Sequence, residues 1–506
     1  MLLLALLACA PRDGVAKDGP RPDSDSAPPL ERPSQCGEPA ENLSYTEVPG
    51  LIDTTDTVGT PMEQGAAAMA DLDGDGDDDL LIAQRDVGVW LQENEGGTLA
   101  VGELLLTEPL VAILALGDVD GDRDLDVFVG GHGDTPTLLL NDGAAGFSPV
   151  EAGLPSVQNT IRGASFGDSD GDGDLDLMLA VAGEGPDMRD RLLKNDGSGS
   201  FSEDRSALPP PDDGPGLSWD PLWSDLDRDG DIDLYLVNAE QAQNGASRLL
   251  INDGTGSFTD LPLSCGCRIT GNPMGASVAD FNGDLAPDLY ITGTGANWLI
   301  ERQSSGDYVD AAAALGAQAL AGDEHMAFGS IAFDHDNDGF IDLLMAAGKL
   351  GMGPDEQRDV LLAGGPNGFT DRAPALGLDD PGVGRATVAG LLDADGFYDP
   401  LVTHMGGPSR LWQGPCTENR ALIVDLVGQG ANTFGVGAWL ELDTASGTQL
   451  RELSAHAGWA SQVHPRAHFG LGDETPERLR VFWPYGEVQE VELGADTPLR
   501  IAVEQD

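Results

Sequence analysis

Aspartates at every second position are the residues of this chain whose types and spacing could do chemistry. Asp71, Asp73, Asp75, Asp77 and Asp79 stand within nine residues. The pattern returns as Asp118, Asp120, Asp122, Asp124 and Asp126, as Asp168, Asp170, Asp172, Asp174 and Asp176, and as Asp225, Asp227, Asp229, Asp231 and Asp233. A weakened fifth copy reads Asp280, Asn282, Asp284, Ala286 and Asp288, and a sixth reads Asp334, Asp336, Asp338, Phe340 and Asp342. A degenerate seventh opens on Leu391 and keeps Asp393, Asp395 and Asp399. Oxygens at positions 1, 3, 5 and 9, with the main-chain carbonyl of position 7, can wrap one hard cation. Two carboxylates about 4 Å apart repel by roughly 1–4 kcal/mol, so an empty loop is expected to be strained or disordered. Calcium suits such a ligand set better than magnesium, which demands a stricter octahedron, and zinc would want His or Cys. About five to seven calcium ions are expected. Asn282 should weaken the fifth site, and the seventh is open between filled and empty.

An EF-hand shares the Asp-x-Asp-x-Asp-Gly start but needs a bidentate Glu at position 12. Position 12 here is Ile82, Val129, Leu179, Leu236, Ile291, Met345 or Val402, all apolar, which excludes it. Acidic surface turns that bind nothing are the plain alternative, and six copies in register speak against it.

The elements that must position these loops follow from the same period. First positions lie 47 to 57 residues apart. Before each loop stands a Gly-initiated apolar stretch, such as Gly163-Ala-Ser-Phe, and after it an apolar run, such as Leu234-Tyr-Leu-Val. Then come turns such as Leu193-Lys-Asn195-Asp-Gly197 and Leu250-Ile-Asn252-Asp-Gly254. Asn and Gly tolerate positive φ, so these are hairpin signals. Each unit reads as four short strands, the anatomy of a propeller blade. The fold class is all-β: a seven-bladed β-propeller over residues 41–416, then a small C-terminal β-sandwich or barrel over residues 417–506. The last unit stops at Gln413 without its final strand, and Ser44–Leu51 matches the missing piece, so an N-terminal strand is expected to close the ring. A Cys36–Cys416 disulfide could staple that closure, and Cys265 and Cys267 could form a tight local bond.

Composition bounds the partners. Among 506 residues, Asp plus Glu outnumber Lys plus Arg 87 to 26, a net charge of −61 that repels nucleic acid and anionic lipid. The apolar run Leu2–Ala8 ending at Cys9 looks like a bacterial lipoprotein signal, although it lacks a positive n-region. Residues 1–9 are accordingly expected to be a signal with Cys9 lipidated, and residues 10–40 a Pro/Asp/Ser-rich tether. That places the protein outside the cytoplasm, as a bacterial outer-membrane or cell-surface lipoprotein or in the periplasm, touching a membrane only through this anchor.

The acidic loops and their surroundings resemble the FG-GAP/VCBS repeat family over roughly residues 41–416. Its members form integrin-α-like propellers, and the resemblance implies metal ligation by positions 1, 3, 5 and 9 and the carbonyl of 7. Residues 417–506 resemble the ASPIC/UnbV domain of the cartilage acidic protein family. The matching residues are Asn432-Thr-Phe-Gly435-Val-Gly437-Ala438, Arg451-Glu-Leu-Ser, His468-Phe-Gly470-Leu-Gly472 and Val481-Phe-Trp483-Pro484-Tyr-Gly486. The resemblance implies an extracellular, calcium-associated protein and no settled activity.

No catalytic motif is present: neither Gly-x-Ser-x-Gly, His-Glu-x-x-His, a phosphate loop nor a dinucleotide fingerprint. His456, His464 and His468 are expected to be structural or exposed. Trp459, Trp483 and Tyr485 could stack on a sugar, but packing is the favoured reading. The expectation is a non-enzymatic, calcium-stabilised binding and adhesion module with a protein or glycan ligand at the cell surface. The rivals are a hydrolase or lyase using a propeller-face cleft, and a structural scaffold lipoprotein.

Overall fold

The computed structural model describes residues 44–51, 65–84, 86–107, 111–133, 136–182, 189–211, 217–239, 245–319, 325–349, 357–415 and 417–506. Cys9, Cys36 and Cys416 lie outside them, and with them the expected lipidation and the Cys36–Cys416 bond.

Each repeat folds into one antiparallel sheet whose strands follow chain order. In the third they are Thr160–Gly167, Asp176–Ala182, Arg191–Asn195 and Phe201–Asp204. The second strand is apolar without alternation because neighbouring sheets cover both its faces. Asp176–Ala182 and Asp233–Ala239 are buried at every position. On the outermost strand only the aromatic goes in, as where Phe258 is buried and Thr259 exposed. Seven such sheets occur among the described residues, and their first strands touch in chain order and again from last to first. This is a β-propeller. Thr46–Glu47 pairs antiparallel with Trp412 and Gln413 and supplies the outer strand of the seventh sheet. That pairing covers an edge that would otherwise invite another chain.

The Gly-initiated stretches are explained at the centre, where first strands converge. A Cβ on Gly163 would stand 2.4 Å from the Trp219 carbonyl oxygen of the next sheet, and one on Gly329 2.7 Å from that of Arg385. Register slips at matching points, between Ile161 and Gly163, Ser218 and Asp220, and Pro273 and Gly275. Such bulges sharpen the local twist.

The C-terminal domain is a sandwich. Arg420–Val427 lies between Ala467–Gly472 and Arg500–Glu504, and a second sheet holds Thr448–Glu452, Trp439–Asp443, Arg478–Phe482 and Val488–Glu492. Leu422, Val424, Leu440, Leu442, Phe469 and Val481 from both sheets share one core.

Between Glu452 and Ala467 the chain leaves the sandwich and fills the channel at the ring's centre. Ser461–Val463 pairs in parallel with Ala67–Met69 of sheet one. Gln462 Oε1 accepts from Leu116 N–H of sheet two (3.4 Å), and Trp459 Nε1 donates to the Arg162 carbonyl of sheet three (2.9 Å). His456 Nε2 stands 2.8 Å from Asp220 Oδ1 of sheet four, and Ser461 Oγ accepts from Thr387 N–H of sheet seven (3.1 Å). Trp459 is 2% exposed, its ring against Trp219 and Phe328. Trp483 is buried as well, so neither indole is a platform for a sugar. Of the other histidines, His464 in this excursion donates its N–H to the Met69 carbonyl (2.9 Å), and His468 on the sandwich strand has its Nε2 3.1 Å from the Gly396 carbonyl. Cys265 and Cys267 are disulfide-bonded. Among the described residues no helix is long and apolar enough to cross a membrane.

Candidate metal centres

Each acidic loop connects the first strand of a sheet to its second, with position 9 opening the second strand. In loops one to six the intervening main chain coils through left-handed residues at positions 4 and 6, Gly171 and Gly173 in loop three, while loop seven keeps only Gly396 at position 6. The carboxylates hold that coil. Asp168 accepts from the N–H groups of Gly171 (2.8 Å) and Gly173 (3.1 Å), and Asp172 from that of Asp174 (3.0 Å).

Position 9 is a brace in all seven loops. One of its oxygens accepts the N–H of position 2 and the other an N–H at the end of the third strand. Asp79 takes Leu72 (3.0 Å) and Asn94 (2.8 Å), and Asp233 takes Leu226 (3.1 Å) and Asn252 (2.9 Å). Asp126, Asp176, Asp288, Asp342 and Asp399 repeat the arrangement. Outside loop three, where Asp176 Oδ2 also accepts from the Ser169 hydroxyl and from Lys194 Nζ, each oxygen keeps a second lone pair, so bracing and ligation are compatible. At position 7 the side chains of Asp124, Asp174 and Asp231 press on the turn glycines. A Cβ on Gly143, Gly197 or Gly254 would come within 2.6–2.9 Å of a carboxylate oxygen. These side chains are used against the turn, which leaves their main-chain carbonyls for a metal.

Positions 1, 3 and 5 converge. One oxygen from each of Asp71, Asp73 and Asp75 lies within 4.8 Å of the other two. The same holds for Asp118, Asp120 and Asp122, for Asp168, Asp170 and Asp172, and for Asp225, Asp227 and Asp229. In loop six the converging set is Asp336 and Asp342 with His335, a position-2 residue the spacing did not flag. Buried oxygens at position 3 bear on the fit. Asp120 Oδ1, Asp170 Oδ1 and Asp227 Oδ1, all at position 3, are buried and accept no hydrogen bond from the protein. A buried acceptor without a donor is costly; a hard cation would satisfy those of Asp120 and Asp227, while in loop three the other oxygen of Asp170 already accepts from Lys194 Nζ (2.7 Å). Burial drives the carboxyls upward: Asp79, Asp126 and Asp288 to about 8, Asp233 to about 9, Asp71 and Asp168 to about 7, and Asp225 to about 6. The donors present, several crowded carboxylates and carbonyls, fit calcium.

The weaker loops differ in identifiable ways. In loop five Asn282 hydrogen-bonds Glu301, which brings a carboxylate from the third strand. In loop seven the main chain of Leu391 is held by Asp78, whose Oδ2 accepts its N–H (2.7 Å), and Gln413 Nε2 donates to Asp393 Oδ2 (2.7 Å). Asp78 is itself ion-paired to Arg466 (3.0 Å). The carboxylate missing at position 1 is thus replaced by structural contacts.

Sequence reasoning took the turn asparagines for hairpin formers and missed their second use. The Nδ2 groups of Asn141, Asn195 and Asn252 donate to Leu72, Val119 and Ser169, position-2 carbonyls of the preceding sheet, at 2.8–2.9 Å. Asn94 does so across the seam, to Leu392 (2.7 Å). The C-terminal sandwich covers this loop face. Thr433 Oγ1 donates to Asp118 Oδ2, and Arg500 Nη1 to the Gly76 carbonyl (2.7 Å). Tyr485 donates through its hydroxyl to the Asp168 carbonyl (3.1 Å) and through its N–H to that of Gly230 (2.9 Å).

The family model described as FG-GAP-like repeat matches residues 71–129, 118–179 and 225–291, and that described as ASPIC and UnbV matches residues 428–505. Cartilage acidic protein 1 of Xenopus tropicalis is 26% identical over 49% of this chain and 39% of its own length. The Homo sapiens protein of that name is 23% identical over 51% of this chain and 49% of its own. The chain thus spans about half the length, or less, of these curated relatives. Among solved structures, the WD40 propeller domain of Doa1 is 12% identical, covering 71% of this chain and 96% of that one, with a TM-score of 0.41. A lectin of Agrocybe aegerita recognising non-reducing terminal N-acetylglucosamine is 17% identical, covering 61% and 79%, with a TM-score of 0.40.

Proposed function

For a chain that carries FG-GAP-like repeats followed by an ASPIC and UnbV domain, we propose a calcium-binding, non-enzymatic binding module built on a closed seven-bladed ring. Calcium neutralises and rigidifies the loops between first and second strands. The observation that carries this reading is the pair of buried, donor-free oxygens on Asp120 and Asp227 beside the carboxylates of positions 1 and 5. The sandwich occupies the loop face and its excursion fills the channel, so the ligand surface is the opposite face of the ring. A protein or glycan at the cell surface is the partner, with the chain exported and held by lipid on Cys9. Near-copies of one acidic loop support a structural role for the metal, since catalysis needs one special site. A glycan array and a pull-down, each run with calcium and with chelator, test the partner. Binding lost in chelator agrees with the proposal, and turnover of a screened substrate without retained ligand would refute it.

A further inference from the structure

Loop three is built differently from its neighbours. Lys194, on the third strand just before the turn Asn195, reaches back to the loop. Its Nζ donates to Asp170 Oδ2 (2.7 Å), to Asp176 Oδ2 (2.9 Å) and to Ser169 Oγ. An ammonium has three donors, and all three are used on positions 2, 3 and 9 of one loop. The corresponding residues of the other sheets are Glu93, Leu140, Ile251, Glu301, Ala363 and Gln413, none of them cationic. Position 2 is Ser169 here, against Leu72, Val119, Leu226, Phe281, His335 and Leu392 elsewhere. The hydroxyl also donates to Asp176 Oδ2. Two departures from the repeat therefore meet at one ammonium.

We propose that Lys194 is the resident cation of loop three, standing in for the divalent ion that the neighbouring loops hold. The inference rests on the calcium reading of those loops. A divalent ion ligated by Asp170 and Asp176 would stand about 4 Å from Nζ, and even at the dielectric of water that repulsion weakens binding about 30-fold. The fixed ammonium keeps sheet three in its bound geometry without metal. The protein then holds an acidic loop that calcium depletion leaves intact beside loops that lose their ion.

Native mass spectrometry and equilibrium dialysis against calcium decide it, using the whole protein, Lys194→Met, Asp170→Asn and the double variant. Lys194→Met should bind one calcium ion more than wild type. Asp170→Asn should leave the wild-type count unchanged and remove the extra ion from the Lys194→Met background. In chelator Lys194→Met should melt below wild type, and calcium should restore it. If Lys194→Met does not fold, the single variant Asp170→Asn decides: an unchanged count supports the proposal and a count lowered by one overturns it. Calcium at loop three of wild type would sink this proposal alone, whereas no calcium on any of the proteins would sink it together with the calcium reading.

Discussion

Trp459→Ala tests the plugged channel. The indole is 2% exposed, its ring centroid 5.3 Å from that of Phe328 and 6.0 Å from that of Trp219, and its Nε1 donates to the Arg162 carbonyl. Truncating a buried aromatic to Ala costs about 3–5 kcal/mol through lost transfer energy and the cavity left behind. The upper half applies here, because the walls are first strands belonging to three different sheets (Arg162, Trp219 and Phe328) and cannot collapse inward independently. Trp459→Phe keeps the ring packing and loses the hydrogen bond to the Arg162 carbonyl, for about 0.5–1.5 kcal/mol. Urea unfolding at saturating calcium, followed by circular dichroism and by fluorescence, measures both. The two probes should coincide in wild type, since the excursion ties sandwich and ring into one unit, and Trp459→Ala should be the least stable, with Trp459→Phe between. A cost below about 1 kcal/mol for Trp459→Ala, with a wild-type-minus-variant emission difference centred where a water-exposed indole emits, would refute the placement of this segment in the channel.

Asn94→Ala removes the seam contact to Leu392, and at 1% exposure the carbonyls it leaves should cost about 1–3 kcal/mol; urea midpoints check this. Arg466→Met strands Asp78 without its partner in a site where both side chains are 1% exposed. It should cost about 3–5 kcal/mol, partly recovered by Asp78→Asn in a double-mutant cycle. His468 is driven down to about 4, first by burial, then by the facing Arg451 and Arg466 despite the Gly396 carbonyl, while its ring stacks on Tyr398. A folded value below the unfolded 6.5 means the stability it contributes is complete above pH 6.5 and is lost as pH falls toward 4. At saturating calcium that loss is about 2 kcal/mol at pH 5, and His468→Gln should flatten this part of the profile in urea titrations.

Legibility followed the range of the forces involved. The loops and their four-strand units could be read because carboxylates at alternate residues and burial of a second strand on both faces leave local, repeated marks, as at Asp168–Asp176 and Leu234–Val237. The outer strand at Thr46–Glu47 could be read from the unit it completes. The channel excursion could not. Ser454–Ala460 has no strand or helix period, and its burial comes from seven first strands converging on it, a non-local effect. Lys194 was passed over for a related reason: one residue in a strand carries no periodic signal, and its weight appears only when the third strand folds back against its own loop. Glu301 beside Asn282 escaped for the same cause.

The central claim, that the acidic loops are calcium sites on which the ring depends, is tested most directly by thermal unfolding of the protein in chelator and in millimolar calcium. Each filled site should contribute about 2.7 kcal/mol when calcium is a hundredfold above its dissociation constant, so several sites should raise the melting temperature by well over ten degrees. Identical melting curves in chelator and in calcium would contradict the account.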